Sequence, residues 1–189
     1  MMGRKMARSM VTLARTSDYP HIVPLATRWN DNDSFGHVNN AVYYTYMDDA
    51  VNSHLIQNGI GLAVPRFVIE SSCRYQRPLA YPMGVDVGLA VERIGRTSVQ
   101  YRLGIFGRTA APTAGDGDCL DSHRADGKPF LAATGKFVHV YVDPRNGRPL
   151  PVRIPDEVRE VLRHLERSTT RTTLDADKQF CPESPWHHH

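Results

Sequence analysis

Apolar residues recur at two different periods along this chain, and the two periods predict one long helix followed by a group of strands. Between residues 41 and 57 they return every three or four positions, so they share one face of a helix. Beyond Pro65 the period falls to two, which is typical of strands with one buried face. The predicted strands cover residues 67–75, 85–91, 99–105 and 131–142.

Two further elements complete the pattern, a first strand at residues 22–30 and a second helix at residues 155–166. Asn39 or Asn40 can cap the first turn of the long helix with a side-chain oxygen. The strands are grouped along the chain instead of alternating with helices, which favours the α+β class. We expect an antiparallel sheet of about five strands that wraps around the helix at residues 41–57.

Three segments fall outside this pattern and divide the chain. We expect residues 1–20 and 167–189 to be flexible ends around a single domain at residues 21–166. Residues 109–128 interrupt that domain with a stretch that is rich in Ala, Gly, Asp and Pro and has no period. Its low apolar content predicts a mobile insertion, and the alternative is a lid over a site.

Composition and charge exclude several classes of protein. The chain has 189 residues, of which 41% are hydrophobic and 23% charged, as is usual for a globular domain. A net charge of +3, without basic and aromatic residues densely interleaved, argues against a nucleic-acid-binding protein. The three cysteines match no zinc or redox spacing, and no apolar run approaches the length of a membrane span. We therefore expect a cytoplasmic protein with neither nucleic acid nor membrane as a partner.

The most informative segment is the polar turn at residues 30–37, directly before the long helix. It sets Asp31 and Asp33 beside a helix N-terminus, where unpaired N–H groups and the helix dipole stabilise developing negative charge. A carboxylate there can act as base or nucleophile on an acyl carbonyl whose oxygen points at those N–H groups. The two aspartates can also serve only as caps of the turn and the helix, and the pattern alone leaves both interpretations open.

Residues 31–40 read Asp-Asn-Asp-Ser-Phe-Gly-His-Val-Asn-Asn, and tyrosines follow them. This resembles the active-site signature of the 4-hydroxybenzoyl-CoA thioesterase-like branch of the hotdog superfamily. That signature has Asp-x-Asp-x-x-Gly, then His or Ile and Val, then the long central helix. The resemblance continues through Arg77-Pro78-Leu79 and the turn around Arg96 to about Val142.

The resemblance implies a hotdog fold and assigns catalytic roles to two residues. Asp33 is the catalytic carboxylate, and the backbone N–H of Asn40 polarises the thioester carbonyl, while Asp31 supports the turn. Whether Asp33 attacks the carbonyl directly or deprotonates water stays open. The implied reaction converts acyl-CoA and water into a carboxylic acid and free coenzyme A, with no cofactor beyond the coenzyme A of the substrate.

Five more residues are candidates for substrate contact: His37, Asn39, Tyr43, Tyr44 and Arg96. The two tyrosines can line an acyl pocket or only pack against the sheet, and His37 can also be a proton relay. Arg96 stands where relatives place basic residues near coenzyme A phosphates. No histidine, cysteine or carboxylate set has metal-ligand spacing, so we expect no metal site.

Two other function classes remain open at this stage. A hydratase or dehydratase acting on acyl thioesters uses a histidine with an acidic residue, and His37 with Asp33 could form that pair. A non-catalytic acyl-CoA-binding sensor is the second alternative, and it would bind the thioester without turnover. Because hotdog active sites usually lie between two subunits, the resemblance also implies a homodimer or homotetramer.

Overall fold

The computed structural model describes residues 14–61, 64–108, 128–144 and 149–166. These residues contain two α-helices and six strands, in addition to two short 3-10 helices. In chain order they are β1 (His21–Ala26), α1 (Asn40–Gln57), β2 (Arg66–Tyr75), β3 (Gly84–Ile94), β4 (Ser98–Arg108), β5 (Phe130–Asp143), β6 (Leu150–Pro151) and α2 (Asp156–Arg163). The predicted insertion, apart from Lys128, and most of both predicted flexible ends lie outside the described residues.

The main sheet has the strand order β1-β3-β4-β5-β2, and every pairing in it is antiparallel. The short β6 adds to β5 off this path. The sheet curls around α1, whose Met47, Val51 and Leu55 are fully buried in the main core. The prediction of an α+β hotdog fold, with about five antiparallel strands around one long helix, is therefore confirmed.

Polar residues fix both ends of α1. Asn39 is the N-cap, and its Oδ1 accepts a hydrogen bond of 2.9 Å from the backbone N–H of Ala41. At the other end Asn58 is the C-cap, and Gly59 follows with a φ of 82°, a left-handed conformation that glycine adopts without strain. The helix thus begins one residue before the predicted start and ends where the sequence indicates.

The N-terminal part of the domain departs from the sequence prediction in two places. β1 ends at Ala26 instead of continuing to residue 30, because the chain enters a 3-10 helix at Trp29–Asp31. Residues 14–20, predicted to be loose, pack on the outer face of the sheet. There the buried ring of Tyr19 fills the space that side chains would need at two glycines of β3 and β4.

β2 is the strand whose environment the alternating pattern predicts wrongly. Instead of one buried face, it exposes Phe67, Val68, Ile69 and Tyr75. One of its edges pairs with β5, and no described strand pairs with the other edge. β2 is therefore an apolar edge strand, a feature that isolated proteins usually blunt or cover.

Among the described residues, no helix is long and apolar enough to cross a membrane.

Candidate active site

The turn before α1 closes on itself through backbone hydrogen bonds. The N–H of Asp33 donates to the carbonyl of His37 at 2.8 Å, and the N–H of Gly36 donates to the carbonyl of Asp33 at 3.1 Å. Gly36 has a φ of 82°, which L-residues with a side chain rarely adopt. These bonds fix the position of the Asp33 side chain relative to the start of the helix.

The two carboxylate oxygens of Asp33 are not equivalent. Oδ1 accepts hydrogen bonds from the backbone N–H groups of Phe35 at 2.8 Å and His37 at 3.4 Å. No hydrogen bond from the described residues reaches Oδ2. Because Asp33 is only partly buried and lines a cavity, Oδ2 is open to a water molecule or a substrate carbon.

The first turn of α1 holds one backbone N–H group that has no partner among the described residues. The N–H of Ala41 is bonded to the Asn39 side chain, and that of Val42 donates to the Asn39 carbonyl at 2.9 Å. The N–H of Asn39 itself donates to the carbonyl of Asp31 at 2.9 Å. The N–H of Asn40 makes no hydrogen bond within the described part of the chain, and Asn40 lines the same cavity as Asp33. A donor and a carboxylate oxygen, both without a hydrogen bond among the described residues, thus belong to two residues that line one cavity.

Asp31 plays a different part from Asp33. Its side chain is 2% exposed, and its carboxylate accepts from the backbone N–H of Arg28 at 2.7 Å, from Arg28 Nε at 3.1 Å and from the Tyr46 hydroxyl at 2.8 Å. Burial alone raises the pKa of Asp31, but these hydrogen bonds and the Arg28 charge outweigh it and hold the pKa below its usual value. Because Arg28 and Tyr46 occupy the Asp31 carboxylate with hydrogen bonds, Asp31 is a structural anchor of the turn.

The cavity beside Asp33 has a volume of about 590 Å³ and opens to solvent. It lies between the turn, the N-terminal end of α1 and the segment that follows β2. Four residues predicted from sequence line it together, namely Asp33, His37, Asn40 and Tyr43. The remaining lining residues are Phe35, Val38, Tyr75, Gln76, Arg77 and Pro78.

Four of the six unpredicted lining residues, at positions 75–78, come from far along the chain. The segment after β2 is drawn to the turn because the N–H of Val38 donates to the carbonyl of Leu79 at 2.7 Å. The N–H of Leu79 donates in turn to the hydroxyl of Tyr43 at 3.1 Å, and burial raises the pKa of this tyrosine to about 12. Arg77 brings a positive charge to the cavity, and its guanidinium lies 5.7 Å from the ring centre of Phe130. The Arg77-Pro78-Leu79 match to the family signature was the one sequence signal for this contact.

Three predicted substrate contacts do not line this cavity. The Asn39 side chain is occupied as the helix cap. The Tyr44 ring stacks on Phe137, with ring centres 6.3 Å apart, so it serves helix–sheet packing. Arg96 lies in the β3–β4 turn, at the end of the sheet where β2 begins with Arg66, whereas the cavity lies at the Tyr75 end.

No set of three His, Cys, Asp or Glu side chains among the described residues could hold a metal ion. Among the described residues, the imidazole of His37 makes no hydrogen bond to Asp33. The hydrogen bonds between these two residues use the His37 backbone. The cavity lining brings together the Asp33 carboxylate, the Asn40 backbone donor, the Arg77 guanidinium and the His37 imidazole.

Comparison with known proteins identifies the family. The family model described as the Thioesterase-like superfamily matches residues 27–162, which is most of the chain. This chain belongs to the Thioesterase-like superfamily. No curated protein was found to match it.

Several solved structures are also similar to this chain. The PA5185 protein of Pseudomonas aeruginosa is 39% identical to the chain, with a TM-score of 0.66, and the match covers 81% of this chain and 96% of that one. A Thermus thermophilus thioesterase, solved with coenzyme A and zinc, is 27% identical, with a TM-score of 0.58 and coverage of 78% and 95%. The 4-hydroxybenzoyl-CoA thioesterase of Pseudomonas sp. strain CBS-3 is 13% identical, with a TM-score of 0.62 and coverage of 75% and 97%, and shares the fold.

Proposed function

We propose that this superfamily member hydrolyses acyl-CoA thioesters, with Asp33 as the catalytic carboxylate and the Asn40 N–H as the carbonyl-polarising donor. The observation that carries the proposal is that Asp33 Oδ2 and the Asn40 N–H are both unpartnered within the described residues and belong to residues that line one cavity. A thioester carbonyl placed with its oxygen on the Asn40 N–H exposes its carbon to attack from the side of Asp33. A donor of this kind contributes about 3 to 4 kcal/mol to the transition state.

The reaction balances along either of two routes. Asp33 removes a proton from water, the water oxygen bonds to the acyl carbon and the carbon–sulfur bond breaks, releasing coenzyme A thiolate that takes up a proton. Alternatively Asp33 Oδ2 bonds to the acyl carbon and displaces the thiolate, and water then hydrolyses the mixed anhydride. Both routes use the same two groups, the Asp33 carboxylate and the Asn40 N–H.

Acyl-CoA is the substrate class because related thioesterases carry that ligand in their names and the cavity has suitable walls. One relative was solved with coenzyme A, and another is named for 4-hydroxybenzoyl-CoA. The cavity combines apolar walls at Phe35, Val38 and Tyr43 with the charge of Arg77 at one side. The apolar part suits an acyl group, and the cation suits an anionic or strongly dipolar part of the substrate. We propose no cofactor beyond the coenzyme A of the substrate.

We also propose that a second copy of the chain completes this site, within a homodimer or a homotetramer. The apolar edge of β2, which no described strand pairs with, runs to the open cavity, because Tyr75 ends the strand and lines the cavity. Antiparallel pairing of two β2 edges across a twofold axis covers both edges. It also places the beginning of the second β2, and with it that copy's Arg96 turn, near the cavity. Arg96 could then hold coenzyme A phosphates from across the interface.

A thioester panel monitored for free thiol release tests the proposal. The panel contains short, long and aromatic acyl-CoA compounds, with a crotonyl-type enoyl-CoA followed separately at its double bond. Thiol release from some of these compounds, unchanged by EDTA, is expected. Loss of the double bond without thiol release identifies a hydratase instead, and tight binding without any turnover identifies an acyl-CoA sensor. Activity that disappears on chelation and returns with one metal contradicts a mechanism that uses only Asp33 and the Asn40 N–H.

The expected cytoplasmic location remains a prediction.

A further inference from the structure

Tyr75, the last residue of β2, is bonded directly to the first residue of α1. Its hydroxyl donates a 3.0 Å hydrogen bond to the backbone carbonyl of Asn40, 35 positions earlier in the chain. The ring of Tyr75 stands edge-on to the ring of Tyr43, with centres 5.1 Å apart and planes at 89°. Tyr75 therefore meets the N-terminal turn of the helix at two points, one polar and one aromatic.

The position of Asn40 matters because this residue lines the cavity and its N–H has no hydrogen-bond partner in the described part of the chain. Ends of helices fray, so the bonds that hold the first turn of α1 determine where this N–H lies. On the upstream side, the turn is fixed by the Asn39 cap and by the bond from the Asn39 N–H to the Asp31 carbonyl. On the cavity side, the hydroxyl of Tyr75 is the side-chain group bonded to the Asn40 backbone within the described residues.

We infer that Tyr75 is a positioning residue for thioester hydrolysis: its hydroxyl holds the first turn of α1 so that the Asn40 N–H stays aimed at the thioester carbonyl. The inference rests on the proposed function. A donor of this kind is effective only when it is held in place before the reaction, and a displacement of 1 Å can cost about 10²-fold in rate. The Tyr75 hydroxyl makes or breaks no bond in the reaction.

The substitution Tyr75→Phe isolates this hydroxyl, because phenylalanine keeps the ring that packs on Tyr43 and lines the cavity. We expect kcat to fall about 10-fold while KM stays within about twofold, since part of the positioning is lost but the cavity wall is retained. The ratio of the Tyr75→Phe kcat to the wild-type kcat should be constant from pH 6 to 9. Partial burial raises the pKa of Tyr75 above its usual value, so the hydroxyl stays protonated in this range. A ratio that changes with pH means that Tyr75 transfers a proton, which contradicts the inference.

Tyr81→Phe is the matched control. Tyr81 is 42% exposed, as is Tyr75, and it also makes an edge-on ring contact, with Trp29. Its hydroxyl makes no hydrogen bond within the described ranges, and it does not line the cavity. This variant should leave kcat within twofold of the wild-type value.

Hydrogen–deuterium exchange provides a readout that does not depend on activity. In Tyr75→Phe, the amides of the first turns of α1, at Tyr43 and Tyr44, should exchange several-fold faster, while those near Leu55 should not change. An unchanged kcat, a change in KM alone, or unchanged exchange at these amides each overturns the inference. If the wild-type protein releases no thiol from any thioester, the proposed function itself fails. If the wild-type protein releases thiol and Tyr75→Phe has the same kcat, only the positioning role fails.

Discussion

The hydroxyl of Tyr46 donates a 2.8 Å hydrogen bond to Oδ2 of Asp31, and both side chains are buried. This bond ties the 3-10 helix before the active-site turn to the second turn of α1. The backbone of Asp31 also receives the N–H of Asn39, so one residue anchors the turn through its side chain and its main chain. The two aspartates of the motif are thus divided between support, at Asp31, and an open carboxylate oxygen, at Asp33.

The substitution Asp31→Asn should lower stability more than activity. An amide cannot accept all the hydrogen bonds that the buried Asp31 carboxylate receives, so a donor of Arg28 or the buried Tyr46 hydroxyl loses its partner. We expect a loss of about 2 kcal/mol in the free energy of unfolding, or a fall in Tm of about 4 to 8 °C. Thermal melting measures this, and an unchanged Tm contradicts the anchoring role of Asp31.

Gly36 and Gly59 form a natural pair for testing the turn. Both have a φ of 82°, and a Cβ added at either meets no atom within 4 Å. Gly36→Ala and Gly59→Ala should therefore cost similar stability, about 1 kcal/mol each, from backbone strain alone. Only Gly36→Ala should also lower kcat, because it strains the turn that places Asp33. Equal kcat values for the two variants would show that the turn conformation does not govern the reaction.

The exposed edge of β2 predicts an oligomer in solution. Light scattering should give the mass of a dimer or a tetramer, and Phe67→Lys should shift it towards the monomer because a charge is then buried at the paired edges. Ile56→Lys is the control, since Ile56 on α1 is 52% exposed, close to the 50% of Phe67. A wild-type monomer that still hydrolyses acyl-CoA contradicts the proposal that a second copy completes the site.

Buried His139 predicts a loss of stability in mild acid. Burial, with the nearby charge of Arg66, lowers its pKa to about 4, so it stays neutral in the folded protein while the unfolded chain takes up a proton near pH 6.5. Stability is then lost as the pH falls from about 6.5 to 4, by on the order of 2 to 3 kcal/mol. His139→Phe should reduce the fall in Tm between pH 7.5 and 5. If Tm falls equally in the wild-type protein and in His139→Phe, His139 is not the source of the acid sensitivity.

Local patterns predicted much of this fold, because helix periodicity and capping depend on residues that are close in sequence. The span of α1 and the turn before it follow from such signals. An alternating strand, however, looks the same whether its apolar face meets a core or is exposed at a sheet edge, so the exposure of Phe67 could not be predicted.

The parts of the site that escaped prediction are non-local. The contact of Leu79 with Tyr43 and that of Tyr75 with Asn40 join positions more than 30 residues apart, so no local pattern encodes them. Strand register places Arg96 at the end of the sheet away from the cavity, and sequence spacing carries no information about that. The tyrosines after the motif looked alike, but Tyr43 lines the cavity, Tyr44 packs on the sheet and Tyr46 holds Asp31.

The most direct test of the account compares kcat for Asp33→Asn and Asp31→Asn on the best acyl-CoA of the panel, with binding of that acyl-CoA measured separately. Asn keeps the size of Asp33 but removes the basic, nucleophilic oxygen at the cavity. We predict that Asp33→Asn binds the substrate and loses at least about 10²-fold in kcat, whereas folded Asp31→Asn loses much less. If Asp33→Asn keeps wild-type kcat, or if Asp31→Asn loses as much or more, Asp33 is not the catalytic carboxylate.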